Sequence, residues 1–191
     1  HWLNDDYVKF IRFGEYFINK NGEGVLAFIN NHSFLDNPTF KGMRWHLLNT
    51  FDTIYAIDLH GNSLKKEVSP DGSPDQNVFD IQQGVSINFF IKNGKKNKGN
   101  LAKVFHYDLW GKREFKYNFL FENNLGGINF KQIEVEKPLL FFVPTENRGK
   151  MEYENGFQIN ELFVLNGVGM ITARDGFCID EKFPALKKRI D

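Results

Sequence analysis

The sequence predicts an α/β fold: one sheet, helices between its first strands, and an antiparallel hairpin at one edge. Three observations predict it. Helical and strand patterns alternate through the first sixty residues, the strand runs are short and apolar, and two later strand runs are separated only by a basic turn. Strands joined through helices are expected to pair in parallel, and the hairpin antiparallel.

Each element has its own signal. Tyr7, Val8, Ile11, Phe17 and Ile18 recur at three-to-four spacing, which predicts an amphipathic helix over 7–20. Asn4, Asp5 and Asp6 offer an N-cap and dipole-matching charge, and Asn21-Gly22 ends the helix. Residues 24–29 are apolar without interruption, as in a strand buried on both faces. Asn30-Asn31-His32-Ser33 closes that strand. Phe40, Met43, Leu47 and Leu48 share one face of a second helix over 39–49, and 53–59 is a second strand. Residues 60–76 form a polar loop of a length usually kept for function. A third strand spans 84–92, a basic turn 92–100, and a fourth strand 102–107. Beyond Trp110 the pattern is mixed, with a turn at 123–127 and a short strand fenced by Pro138 and Pro144.

Composition excludes several classes. Of 191 residues, 41% are hydrophobic and 16% aromatic, and 24 basic residues balance 24 acidic ones, which is not the balance of a disordered chain. Cys178 is the single cysteine, so no internal disulfide is expected and a reducing compartment is permitted. No apolar run reaches the ~20 residues of a membrane span. The opening is polar and carries no leader pattern, so a cytoplasmic location and no membrane partner are expected. No metal site is expected, because His32, His46, His60 and His106 lack ligand spacing. Neither a Gly-x-Ser-x-Gly elbow nor a phosphate-binding Gly-x-x-x-x-Gly-Lys-Ser/Thr loop occurs.

Several segments, in order, carry a resemblance. They are Asp6-Tyr7-Val8-Lys9-Phe10, residues 22–29, Asn31-His32-Ser33-Phe34-Leu35, Met43-Arg44, Ile57-Asp58-Leu59-His60-Gly61-Asn62, and residues 77–87. Together they resemble the adenine-specific (N6) DNA methyltransferases of restriction-modification systems, above all the large type I-like single-polypeptide enzymes. The resemblance implies a Rossmann-like methyltransferase sheet of which residues 1–108 are the back half. Residues 109–191 would be a connector and the start of a target-recognition domain, carried by Gly169-Met170-Ile171-Thr172-Ala173-Arg174-Asp175. The family's cofactor glycine loop and its Asn/Asp-Pro-Pro-Tyr/Phe tetrapeptide do not occur, and both would precede residue 1. A segment inactive by itself, working with the rest of a parent polypeptide on double-stranded DNA, is therefore expected.

The resemblance also assigns roles. Phe10 matches the aromatic that packs on the adenine ring of S-adenosylmethionine, where a flat apolar wall suits a flat base. Phe79 matches the aromatic that meets the flipped target adenine, a contact worth about 1–3 kcal/mol per base. Asn30, Asn31 and His32 end a strand, where ligands collect in open α/β sheets, and are expected to line the target pocket. Lys65 and Lys66 in the long loop, and Lys95 and Lys96 in the basic turn, are expected near DNA phosphates. Plain alternatives exist for each: a core Phe10, a loop-anchoring Phe79, an ordinary polar turn at 30–33, a solvated hairpin tip at 92–98. For the whole chain, a non-catalytic DNA-binding or assembly module of the same fold is the main alternative, and a small-molecule α/β enzyme a weaker one.

Overall fold

A computed structural model describes residues 4–97, 99–145, 152–153, 155–157, 159–163, 177 and 179–190. Of the stretch 156–180, expected to open a recognition domain, residues 169–175 and Cys178 lie outside the described residues. The chain divides into two units, His1–Thr145 and Glu146–Asp191. No described helix is long and apolar enough to cross a membrane.

In the first unit, α1 spans Asp6–Asn21, β1 Gly24–Asn31, α2 Lys41–Thr50, β2 Thr53–Asp58, β3 Val85–Lys92, β4 Lys103–Asp108, α3 Arg113–Glu122 and β5 Lys131–Ile133. Helix α1 follows its sequence signals closely, with Asp6 in its first turn and Gly22 donating its N–H back to the Ile18 carbonyl. A short 3₁₀ turn, His32–Leu35, follows β1, and the Asn31 side chain caps it by accepting from the Ser33 N–H.

The strand order is β1-β3-β2-β4-β5. Strand β3 runs antiparallel to both β1 and β2, β2 and β4 are parallel, and β5 closes antiparallel on β4. This corrects two expectations. Strands β1 and β2 share a direction but do not touch, because β3 lies between them. The β3–β4 hairpin does not form, because β2 takes the place beside each. The basic turn is therefore a crossover.

Both faces of the sheet are covered. On one, Ile54 and Ala56 of β2, Phe90 and Val104 meet Ile11 of α1 and Leu47 and Leu48 of α2 in one apolar cluster. On the other, Ile57, Val85 and Leu109 pack with Phe119 and Leu120 of α3. Alternate β2 residues thus serve opposite layers, as the strand period requires. Tyr55 stacks on Phe105 at 5.0 Å and Tyr107 on Phe119 at 5.5 Å. Residues 109–145 fall in the same unit as the sheet.

Strand β1 is not buried on both sides. Among the described residues it pairs on one edge only, and Val25 and Ile29 are 61% and 50% exposed. Phe17, expected on the buried face of α1, is exposed as well, while Ile11 and Glu15 are buried there. Residues 138–144 form turns and no strand, yet Leu140 and Phe142 are buried, and the Phe142 N–H donates to the Leu35 carbonyl at 2.9 Å.

That turn is held by Arg44, which is fully buried in α2. Its guanidinium donates to the carbonyls of Phe34 at 2.6 Å, Asn37 at 2.9 Å and Leu139 at 2.8 Å. Burial lowers its pKa to about 10 against the opposing charge of Asp36. Arg44→Met would take the side-chain donor from the Phe34 and Leu139 carbonyls, while Asn37 keeps the Phe40 N–H. We expect it to cost about 3–5 kcal/mol, read as a fall in urea midpoint at unchanged slope.

In the second unit, the described helices are α4, Ile159–Leu162, and α5, Phe183–Ile190. Arg189 near the end of α5 pairs with Asp180.

Candidate functional site

One end of the sheet is polar. The pairing register places Asn30, Ser86, Asp58 and Asp108 side by side across β1, β3, β2 and β4. One step inward, Asn88 and His106 lie in another such row. These are the carboxyl ends of β1, β2 and β4, where an α/β sheet presents ligands.

The polar groups hold one another. Asp58 Oδ1 accepts from His32 Nδ1 and from the backbone N–H of His60, both at 2.9 Å. Asn62 Nδ2 lies 3.3 Å from His32 Nε2. Burial pulls the His32 pKa down, but the hydrogen bond and charge of Asp58, with help from Glu67, outweigh it and the net shift is upward. Burial acts the opposite way on Asp58, and its two histidine neighbours overcome it, so the carboxyl titrates below its ordinary range. His60 and His106 both present Nε2 to Asp108 Oδ1, at 2.8 and 3.0 Å. Burial would raise Asp108, yet these two contacts leave it well below the usual carboxylate range. The His60 ring stacks on Trp110 at 3.3 Å.

Two glycines make this packing possible. A Cβ at Gly84 would sit 2.4 Å from the His32 ring. Gly61 has φ +79°, and a Cβ there would meet the Asn77 Cα at 2.4 Å. Asn77 closes the loop at that point, donating to the carbonyls of Gly61 at 3.1 Å and Gln83 at 2.7 Å.

Two cavities flank the loop. The larger, about 740 Å³, opens among Tyr7, Asn31, Ser33, Phe40, Asn62 and Lys65. The Tyr7 hydroxyl there is buried without a hydrogen-bond partner. The smaller, about 540 Å³, lies among Asn77, Phe79, Gln82 and Arg113. Neighbouring residues Gln82 and Gln83 line one cavity each.

The expected site residues divide accordingly. Asn31 lines the larger cavity. Asn30 and His32 are buried behind it, Asn30 accepting from Asn88 Nδ2 at 2.9 Å. Phe79 is 42% exposed on the second cavity, so its ring is not sealed in the core. Its backbone is firmly held: its N–H donates to Asn77 Oδ1, and Arg113 donates to its carbonyl. Phe10 is 59% exposed on α1, with its ring 6.5 Å from Phe28. Lys65 is half-exposed, with only a 3.7 Å pairing to Asp36, and Lys66 and Lys95 are exposed. Lys96 is differently placed. Its ammonium donates to the carbonyls of Leu48, Asn49 and Phe51 and so caps α2.

Sequence reasoning passed over Asp58, His60, Glu67 and Asp108 as site residues. The signal available was weak: polar residues at the ends of two strands, with His106 and Asp108 two apart on one face.

No protein-family model and no curated protein matches the sequence. Solved structures do match. The mixed α/β sheet with flanking helices is a fold shared with parts of large single-polypeptide restriction-modification enzymes. The chain in a cryo-EM structure of a DrdV–DNA complex is similar over 98% of this chain, with a TM-score of 0.68 and 22% identity. LlaBIII, an ATP-dependent type ISP restriction-modification enzyme solved bound to DNA, is similar over 71%, with a TM-score of 0.61 and 29% identity. A nuclease-deletion mutant of the type ISP enzyme LlaGI, solved with a DNA substrate mimic, is similar over 71%, with a TM-score of 0.59 and 22% identity. This chain spans only 19%, 9% and 11% of those three chains.

Gly61→Ala tests the loop geometry, since the new methyl group has neither the dihedral angle nor the space it needs. It is expected to cost about 2 kcal/mol or more in denaturant unfolding.

Proposed function

We propose that this chain is part of a site-specific DNA adenine N6-methyltransferase of a restriction-modification system, with S-adenosylmethionine as methyl donor and double-stranded DNA as substrate. The observation that carries the reading is Phe79: a half-exposed ring on a pinned loop, lining a cavity formed by that loop and Arg113. Similarity to enzymes solved with DNA supports it.

The larger cavity has the volume of a small-molecule site. Its lining mixes aromatic Tyr7 and Phe40 with polar Asn31 and Asn62, as a nucleoside-like ligand would need. S-adenosylmethionine, when bound, supplies a methyl group on a sulfonium. The chain's own residues would bind and orient. Phe10 and Phe28 offer an aromatic wall on α1 and β1 for the cofactor's base. Phe79 offers a face for the extruded adenine and so offsets part of its unstacking. Lys65, Lys66 and Lys95 would meet phosphates. The Lys65–Asp36 pairing does not prevent this, because an exposed pair is worth little. The remaining domains of the parent polypeptide would supply the groups that accept hydrogen bonds from the target amino nitrogen.

The test is transfer of labelled methyl from S-adenosylmethionine into duplex DNA by the complete polypeptide. Phe79→Ala should lower the rate about tenfold or more, and Phe79→Trp should retain most of it. Equal rates for all three proteins would refute the role of Phe79. DNA binding with no methyl transfer by the unaltered polypeptide would favour the non-catalytic module. Separately, Lys65→Gln and Lys66→Gln should each weaken DNA binding across unrelated sequences. Each should also flatten the log affinity against log salt slope by about 0.9.

A further inference from the structure

The turn after β2 gathers ligand-type atoms that nothing above uses. One ligand atom from each of His32, Asp58 and His60 lies within 4.8 Å of the others, and all three residues are buried. His32 is fully engaged, with Nδ1 on Asp58 and Nε2 beside Asn62. His60 is not. Its side chain is only 9% exposed, and its Nδ1 has no hydrogen-bond partner.

The state of that ring follows from its other nitrogen. Nε2 lies 2.8 Å from Asp108, and an ionised carboxylate only accepts. Nε2 is thus engaged, and Nδ1 is left without a hydrogen-bond partner. It faces two carboxylate oxygens, Asp58 Oδ2 at 3.8 Å and Glu67 Oε2 at 4.0 Å. A buried ring nitrogen left without a hydrogen bond is unfavourable. Neither oxygen is within hydrogen-bonding reach of it. A cation between the three atoms resolves it. Nδ1 lies about 4 Å from each oxygen, a spacing that suits an ion holding each ligand at about 2.0–2.3 Å with open angles.

The surroundings are those of a ligating histidine. Such rings commonly donate their second N–H to a carboxylate, which fixes their tautomer and orientation. Asp108 takes that N–H here, Trp110 fixes the ring plane, and His32 fixes Asp58 through its other oxygen. His60 also holds a left-handed backbone, φ +51°, unusual for a side chain of its size.

We propose that His60 Nδ1, Asp58 Oδ2 and Glu67 Oε2 bind a divalent first-row transition ion, with water completing its coordination. One nitrogen and two carboxylates select such an ion over Mg²⁺, which prefers all-oxygen shells. The ion would clasp residues 60–67, and with them Lys65 and Lys66, to the end of β2. The site stands apart from the methyltransferase reading and survives its failure.

The test is titration of the 191-residue chain with Zn²⁺ and Mn²⁺, Mg²⁺ being the control, read by calorimetry and by the shift in unfolding temperature. One saturable site for Zn²⁺ is expected, with a rise in Tm and little response to Mg²⁺. His60→Asn keeps a residue type that tolerates the left-handed backbone. Glu67→Gln keeps an acceptor for the Asn62 N–H, which Glu67 now receives at 2.9 Å. Each should weaken Zn²⁺ binding at least about tenfold. His46→Gln, at an exposed histidine outside the cluster, should not. Absence of saturable Zn²⁺ and Mn²⁺ binding overturns the proposal. So does an unchanged affinity in either cluster variant, or loss of binding in His46→Gln.

Discussion

The buried ion pair between Lys116 and Asp75 is the constraint on which the functional end of the sheet depends. Both side chains are wholly inaccessible, 2.7 Å apart. Neither charge is spent on the other alone. Lys116 also donates to the carbonyls of Leu59 and Gln76, and Asp75 accepts from the backbone N–H groups of Gly61 and Gly111. Four chain segments thus converge on two charges: the end of β2, the far arm of the long loop, the exit of β4, and α3. A buried pair contributes little net stability when complete and costs several kcal/mol when halved. Its value here is positional. It converts a 26-residue excursion between β2 and β3, otherwise too polar to pack, into a platform with a fixed shape.

From that platform the remaining geometry follows. With Gly61 fixed, Asn77 bridges the two limbs of the loop, and Phe79 leaves the bridge with its ring outward. With Leu59 fixed, His60 is carried over the row of strand ends and onto Trp110. At the opposite side of the larger cavity Arg44 does comparable work, gathering the carbonyls of the turn after β1 and of Leu139. Buried cations at Lys116 and Arg44 bind backbone oxygens that have no strand or helix to satisfy them, which lets irregular chain be packed tightly.

The element boundaries were legible in the sequence and the sheet order was not. Helices α1 and α2 and strands β1 to β4 fall within a few residues of their periodic signals, because period and caps are local. Strand order is settled by partners far apart in sequence. Residues 85–92 pair with both 24–31 and 53–58, and no local pattern says so. The apolar run of β1 matched a fully enclosed strand, whereas its neighbour on one side is absent among the described residues. Residues 138–144 read as a strand because Leu140 and Phe142 are apolar; their burial comes from capping the helix layer, with the backbone in turns. Of the expected site residues, Asn31 and Phe79 line cavities. That Lys96 caps α2 through three carbonyls is not visible in its sequence context. The His60 cluster was invisible because its members are 2, 9 and 50 positions from Asp58 or one another along the chain.

The order β1-β3-β2 has a kinetic meaning. The middle strand of that trio is the last of the three in the chain. Until residues 85–92 exist and find their place, β1 and β2 have no common partner, and the two strands must wait more than twenty residues of loop apart from their ladder. Non-local pairing of this kind slows folding. Assembly should therefore hinge on one late docking event, which joins three strands at once and leaves no stable two-strand halfway form.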